Sequence, residues 1–481
     1  MHGLTRSVLG AAFAVLLAAG PAAAESFGPA APPNPWLGPA GTATMHGDAE
    51  ASDTTPLPGP GTGPVDASFH PIGGACPTIL VGSDGLPVAL CTLLTTRIPT
   101  AFLLDPAGGA PLASLPTRTG GGTVLGGVYA FLDNRDRLVT VDGAGNLEWI
   151  GHDRGPDGAW RLYIDHTAPT ASIVPAGDAV SSATPDRTGA IWLATEHGTV
   201  AVLRADGGIA AVSLGGDPAA RQIGDGELVE NSIAAAAGGV AVATDHALYL
   251  LNTDAAGTPS IRWRQAYDRG PARKPGQLSA GTGATPTFFG PRTGSEYVAI
   301  TDNAVPQEHL LVYSTATGEP ICSVAVLPPG PSGTENSPIG IGDTVIVAGT
   351  YGYPYPAGAV GPSDPASAPF TGGMTRVDVD DSGAGCTVRW NNTVPSAAVP
   401  RLSTADGRIY TFTRHTSGAA ATPLDGYDYA VIDAATGALE TEQPVGVGLP
   451  VDTLEMVGSI APGGVQYQGT VTGYFSVRPR G

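Results

Sequence analysis

Ser182–Leu203 reads SATPDRTGAIWLATEHGTVAVL. A short apolar start is followed by the turn Asp186-Arg187-Thr188-Gly189. Then come the β-branched and aromatic run Ile191–Thr195, the polar Glu196-His197-Gly198 and a second run, Thr199–Leu203. Runs of four or five such residues between Gly- and Asp-containing turns predict short antiparallel strands rather than helices. Asp and Gly suit the turns because one bonds its own backbone and the other tolerates positive φ.

Working outward, the same order returns with a period of roughly 50 residues, the signature of a propeller or array. The equivalent first turns are Ser83-Asp84-Gly85, Asn134-Arg135-Asp136, Gly238-Gly239, Arg292-Thr293-Gly294, Gly342-Asp343, Asp406-Gly407 and Pro462-Gly463-Gly464. Strands follow them at Val240–Thr244, Val298–Thr301, Thr344–Val347 and Ile409–Thr413, and later strands at Leu248–Leu251, His309–Tyr313 and Ile261–Arg264. Four strands per unit, with no helical periodicity between units, predict an all-β fold, a β-propeller of seven to eight four-stranded blades. Seven blades are complete from near residue 75. An eighth begins at Val451 with three visible strands, and the N-terminal arm is the candidate for its fourth.

Composition agrees. The 481 residues include 69 Gly and 45 Pro, and only 14% are charged, which suits many turns and few amphipathic helices. The 23 Lys and Arg against 43 Asp and Glu leave a net charge of -20, which argues against nucleic-acid or anionic-membrane partners and leaves cations and neutral small molecules. Residues 1–24 read as a signal peptide: Arg6, the apolar run Val8–Ala19 and Ala22-Ala23-Ala24 before a cut at Glu25. No later run reaches the ~20 apolar residues of a membrane span. The expectation is a secreted or periplasmic monomer, with a Pro- and Gly-rich arm over 25–64 and the propeller over 65–481. Export permits disulfides. Cys76 and Cys91 flank the Ser83–Gly85 turn symmetrically and are expected to pair; Cys322 and Cys386 are a second possible pair.

Two resemblances follow from short motifs. Asp433-Ala434-Ala435-Thr436-Gly437 resembles the D-x-x-T-G turn of pyrroloquinoline-quinone (PQQ-repeat) propellers, and Ser314-Thr315-Ala316-Thr317-Gly318 echoes it. The Trp of that pattern follows neither turn, and the adjacent cysteines of the quinone site are absent. The resemblance to the quinoprotein dehydrogenase-like superfamily therefore covers the blades and ranks a dehydrogenase third among the functions.

In a propeller the first strand of each blade lies innermost and the second runs back, so first-strand starts and second-strand ends share one face. Glu230-Asn231-Ser232, Thr285-Pro286-Thr287 and Glu335-Asn336-Ser337 are such starts. Thr195-Glu196-His197, Thr244-Asp245-His246, Thr301-Asp302-Asn303 and Thr413-Arg414-His415 are such ends. The opposite face receives plain turns. Carboxylates and amide oxygens suit a hard cation such as Ca²⁺. The polar mouth is similar in residue types to the SMP-30/paraoxonase-like calcium-dependent hydrolases. That resemblance implies Glu230, Asn231, Asp302, Asn303, Glu335 and Asn336 as calcium ligands, with a small ester or lactone as substrate. His197, His246 and His415 are the candidate bases for activating water. A non-catalytic propeller binding a ligand or protein is the alternative, and turn or blade-bridging roles are the bland explanation of the same clusters. Tyr351, Tyr353 and Tyr355 are candidate walls for a substrate.

Overall fold

Eight four-stranded antiparallel sheets form the molecule in the computed structural model, which describes residues 27–117, 129–215, 227–355, 362–416 and 422–481. Residues 1–24, read from sequence as a signal peptide, lie outside the described residues. The protein is an eight-bladed β-propeller, and the described residues include only two 3₁₀ turns, Ala171–Ile173 and Leu449–Val451. Innermost strands are Gly74–Val81, Phe131–Leu132, Val180–Pro185, Ala234–Ala236, Thr287–Phe289, Ile339–Ile341, Arg401–Ser403 and Gly458–Ala461, for blades 1 to 8. Each of the eight first turns anticipated from sequence joins an innermost strand to the second strand of its blade. The start of blade 8 differs: Val451 belongs to a 3₁₀ turn, and the innermost strand begins at Gly458. The apolar signal of Val451 comes from packing with Leu454, Met456 and Phe475 in a core cluster rather than from a strand.

Blade 8 is closed by the strand that follows the N-terminal arm rather than by the arm itself. Val65–Pro71 pairs antiparallel with Gly473–Pro479, in a register from Val65 opposite Pro479 to Pro71 opposite Gly473. Both ends of the chain thus share one sheet. This hides a strand edge and makes the ring cooperative.

Neighbouring blades are held by a device whose parts are far apart in sequence. Trp263, in the outermost strand Pro259–Ala266, donates its indole N–H to Thr315 O at 3.1 Å. Trp390, in Cys386–Asn392, donates to Ala434 O at 3.0 Å. Each indole lies on the glycine that ends the quinoprotein-like turn of the next blade: a Cβ on Gly318 would come within 2.7 Å of Trp263, and one on Gly437 within 2.6 Å of Trp390. The tryptophan expected after each turn is therefore supplied by the blade before it. Two disulfides are formed. Cys76–Cys91 joins the first two strands of blade 1, and Cys322–Cys386 joins the outermost strands of blades 5 and 6.

The arm fills the central channel. Arg187 donates to Pro32 O at 2.7 Å and Asn134 to Pro35 O at 2.8 Å, so the arm first crosses the turns opposite the mouth. It then rises into the ring. Innermost-strand N–H groups of six blades donate to its carbonyls: Val81 to Thr42, Leu132 to Ala43, Ala235 to Ala49, Phe288 to Glu50, Gly340 to Ser52 and Leu402 to Asp53, at 2.6 to 3.2 Å. Thr54–Thr55 adds a short parallel strand inside blade 7. Ala51 and Asp53 adopt left-handed φ of 54° and 52°, which bends the arm to follow the ring.

At the centre, Arg401 and Asp53 are both fully buried, with Nη1 to Oδ1 at 3.5 Å, and Asp53 also pairs with His46. Removing one partner strands the other charge in a low dielectric. Asp53→Ala is expected to lower stability by about 3–5 kcal/mol. Asp53→Leu combined with Arg401→Met should recover most of that loss in urea unfolding.

The Trp–Gly contacts make a second expectation. Gly463 and Gly437 both have left-handed φ, +84° and +75°, but nothing lies within 4 Å of a Cβ at Gly463. Gly463→Ala is expected to cost ~1 kcal/mol from backbone strain alone. Gly437→Ala should cost a further ~1–3 kcal/mol from displacing Trp390, measured by the same unfolding curves.

Candidate functional site

The entries to the innermost strands converge as strand direction requires. Pro77 of blade 1, Tyr129 before blade 2, Glu230 and Asn231 before blade 4, Thr285 before blade 5 and Glu335 and Ser337 before blade 6 line one cavity. Val399 before blade 7 and Leu454–Val457 before blade 8 complete its wall. Its volume is about 160 Å³, and Met45 and His46, at the tip of the arm, also line it. Because the arm fills the channel beneath, the cavity is blind. A second, water-sized space of about 20 Å³ shares Met45, His46 and Tyr129 with it and reaches Asp48 and Ser232.

Three carboxyls meet here. Burial, reinforced by Asp245 and Glu196, pushes the Glu230 carboxyl up to about 7. Glu230 keeps solvent contact while crowded by protein atoms, as a side chain in a concave mouth must. Burial also holds Glu335 well above the carboxylate range, against a hydrogen bond from Leu278 N at 2.8 Å and aided by Glu230. Glu455 is 7% exposed and likewise raised by burial, although Asn336 Nδ2 donates to its Oε2 at 3.1 Å. The remaining oxygens, Glu335 Oε1, Glu455 Oε1 and Asn336 Oδ1, are buried without a hydrogen-bond partner. Unsatisfied buried oxygens are costly, so a cluster of them is a demand for a cation or proton. Leu454 and Glu455 have left-handed φ of 50° and 53°, a backbone cost retained beside the cavity.

Of the ligands implied by sequence, Glu230, Asn231 and Glu335 line the cavity, and Asn336 adjoins it through Glu455. Asp302 and Asn303 do not. Asp302 Oδ1 accepts from the N–H of His309 at 2.7 Å, and its Oδ2 meets His309 Nδ1 at 2.9 Å. Asn303 donates to Arg269 O and Ala272 O and accepts from Gln277. Both follow a second strand, one step out from the axis; there Asn303 ties down the segment that joins blades 4 and 5, and Asp302 holds the start of the third strand.

The same displacement applies to the histidines. His197 meets Asp178 at 2.9 Å, His246 meets Asp245 at 2.8 Å, and His415 meets Glu442 at 3.0 Å. None lines the cavity. Two of them belong to tight ligand groups with atoms within 4.8 Å of one another: Asp178–Glu196–His197 and His415–Asp428–Glu442. The serines of the mouth clusters bridge blades: Ser232 Oγ lies 3.2 Å from Ser182 Oγ, and Ser337 Oγ accepts from Thr285 N at 3.2 Å. Tyr355 walls the cavity, whereas Tyr353 is buried against Asp452.

Sequence reasoning missed Glu455 as a site residue. Glu455 stands just ahead of an innermost strand, as Glu230 and Glu335 do, but starting blade 8 at Val451 concealed that.

Comparison with known proteins supports the fold. No family model matches the chain, and no curated protein matches it in sequence. Among solved structures, a europium-containing methanol dehydrogenase superposes with a TM-score of 0.51 at 10% identity, covering 90% of this chain and 98% of that one. A putative 6-phosphogluconolactonase from Bacteroides fragilis gives 0.39 at 13% identity, covering 75% and 95%. BamB from Moraxella catarrhalis gives 0.38 at 14%, covering 71% and 93%. The likeness to the dehydrogenase is one of fold alone, a β-propeller.

The raised carboxyls have a thermodynamic consequence. A carboxyl raised in the folded state stabilises the fold fully below its unfolded value and loses that contribution as pH rises through the folded value. In chelated buffer the melting midpoint is therefore expected to fall between pH 5 and pH 8. Glu50 and Glu308, pushed up to about 8 and about 7, act in the same direction. Changing Glu230, Glu335 and Glu455 to Gln should accordingly flatten the slope without abolishing it.

Proposed function

We propose that this is an exported, monomeric hydrolase of a small ester or lactone, assisted by a calcium ion at the mouth of the channel. The observation that carries the reading is the pair of partnerless buried oxygens on two lining residues, Glu335 Oε1 and Glu455 Oε1, with the partnerless Asn336 Oδ1 next to them through its bond to Glu455. These, with Glu230 and Asn231, are the residues that would hold the ion; Asp302 and Asn303 leave the set. Hard oxygen donors of mixed charge fit calcium, which tolerates irregular, partly hydrated coordination. Glu230, Glu335 and Glu455 do not form one of the tight ligand groups found among the described residues.

A bound cation would polarise the acyl carbonyl as a Lewis acid. The chain's own residues set the rest. The cavity limits substrates to a few carbons, and Leu278, Val399, Leu454 and Met456 form its apolar side. Tyr129 and Tyr355 flank the carboxylates and keep their protons, since burial raises both phenols. Export is supported by the leader pattern and by two disulfides, and no described helix is long and apolar enough to cross a membrane. A quinone-dependent dehydrogenase is disfavoured because all four cysteines pair at a distance in sequence.

Calorimetry of metal-stripped protein should show calcium binding with proton release, and a larger rise in melting midpoint at pH 8 than at pH 5.5. Glu335→Gln and Glu455→Gln should each weaken calcium at least ~10-fold. A panel of aryl esters and lactones should then show calcium-stimulated turnover. Binding without turnover would assign the cavity to a non-catalytic receptor, and absence of calcium binding would overturn the reading.

A further inference from the structure

We propose that His46, oriented by Asp53, is the general base of this cavity, carried into it by the N-terminal arm. The inference rests on the hydrolytic reading above.

His46 is the one histidine among the residues lining the cavity. Its Nδ1 lies 3.1 and 3.0 Å from the two oxygens of Asp53, a residue with no solvent exposure. A carboxylate can only accept at that contact, so Nδ1 carries the ring proton. Nε2 then holds the lone pair. It lies 3.3 Å from Thr285 Oγ1, itself a lining residue. The Tyr129 ring stacks alongside at 6.5 Å, and the Arg401 guanidinium backs Asp53 from the far side. Carboxylate, imidazole and cavity thus follow one another in the order of an oriented base. His197, His246 and His415 have comparable carboxylate contacts but lie outside the cavity.

In the step proposed, a water oxygen attacks the acyl carbon while His46 Nε2 takes one of its protons. Collapse of the tetrahedral intermediate breaks the bond between the acyl carbon and the alkoxy oxygen. The same Nε2–H returns its proton to the leaving oxygen, giving an acid and an alcohol, or one hydroxy acid from a lactone. The net consumption is one water, and the histidine ends unchanged.

The test uses the full mature chain with calcium, p-nitrophenyl acetate and γ-butyrolactone. His46→Gln is expected to lower kcat by ~10²–10⁴-fold, with calcium affinity and melting midpoint close to wild type. His46→Ala should regain part of its activity with added imidazole, which a purely structural role would not allow. Independently of turnover, ¹⁵N spectra of labelled histidine should show His46 protonated at Nδ1 and bare at Nε2. Wild-type turnover that persists in His46→Gln, or a proton found on Nε2, overturns this inference and leaves the hydrolytic reading standing. Wild-type protein that binds calcium but hydrolyses neither probe overturns both.

Discussion

Every innermost propeller strand turns a row of backbone N–H and C=O groups toward the channel, and a buried edge of that kind needs partners. Here the arm supplies them. Carbonyls from Thr42 to Asp53 accept from innermost-strand N–H groups of six blades, and the Asp53–Arg401 pair fixes the arm at the centre. The functional geometry depends on this interaction. With the channel filled, the polar mouth becomes a blind cavity, and its floor is the turn that carries His46.

The electrostatics of the mouth follow from the same closure. Glu230, Glu335 and Glu455 enter from blades 4, 6 and 8 into one cavity, Glu455 buried, Glu335 partly so and Glu230 still in contact with solvent. Burial then favours their neutral forms, and Glu230 adds to the charge cost of Glu335. An arrangement of this kind is costly when empty and ionised. The serines beside them, Ser232 and Ser337, bridge neighbouring blades.

Much of this was legible from residues alone. The turns at Ser83–Gly85 and Asp186–Gly189 and the β-branched runs after them marked blades because both signals act within a few residues. Strand direction sent Glu230 and Glu335 to one face for the same local reason. It could not separate first-strand starts from second-strand ends, because both lie on that face and differ only in distance from the axis. Asp302, Asn303 and the three rim histidines were grouped with the cavity on that account, and they lie one strand outside it.

The chain by itself determined the all-β repeat and the Cys76–Cys91 pair, since each rests on local pattern or short spacing. Only the tertiary structure decided that Trp263 and Trp390 dock on the glycines of the following blades, that Glu455 joins Glu230 and Glu335, and that His46 and Asp53 lie beneath them. These contacts join residues up to hundreds of positions apart. Their geometry exists only after the ring has closed around the arm, and no local periodicity encodes where a threaded segment will stop.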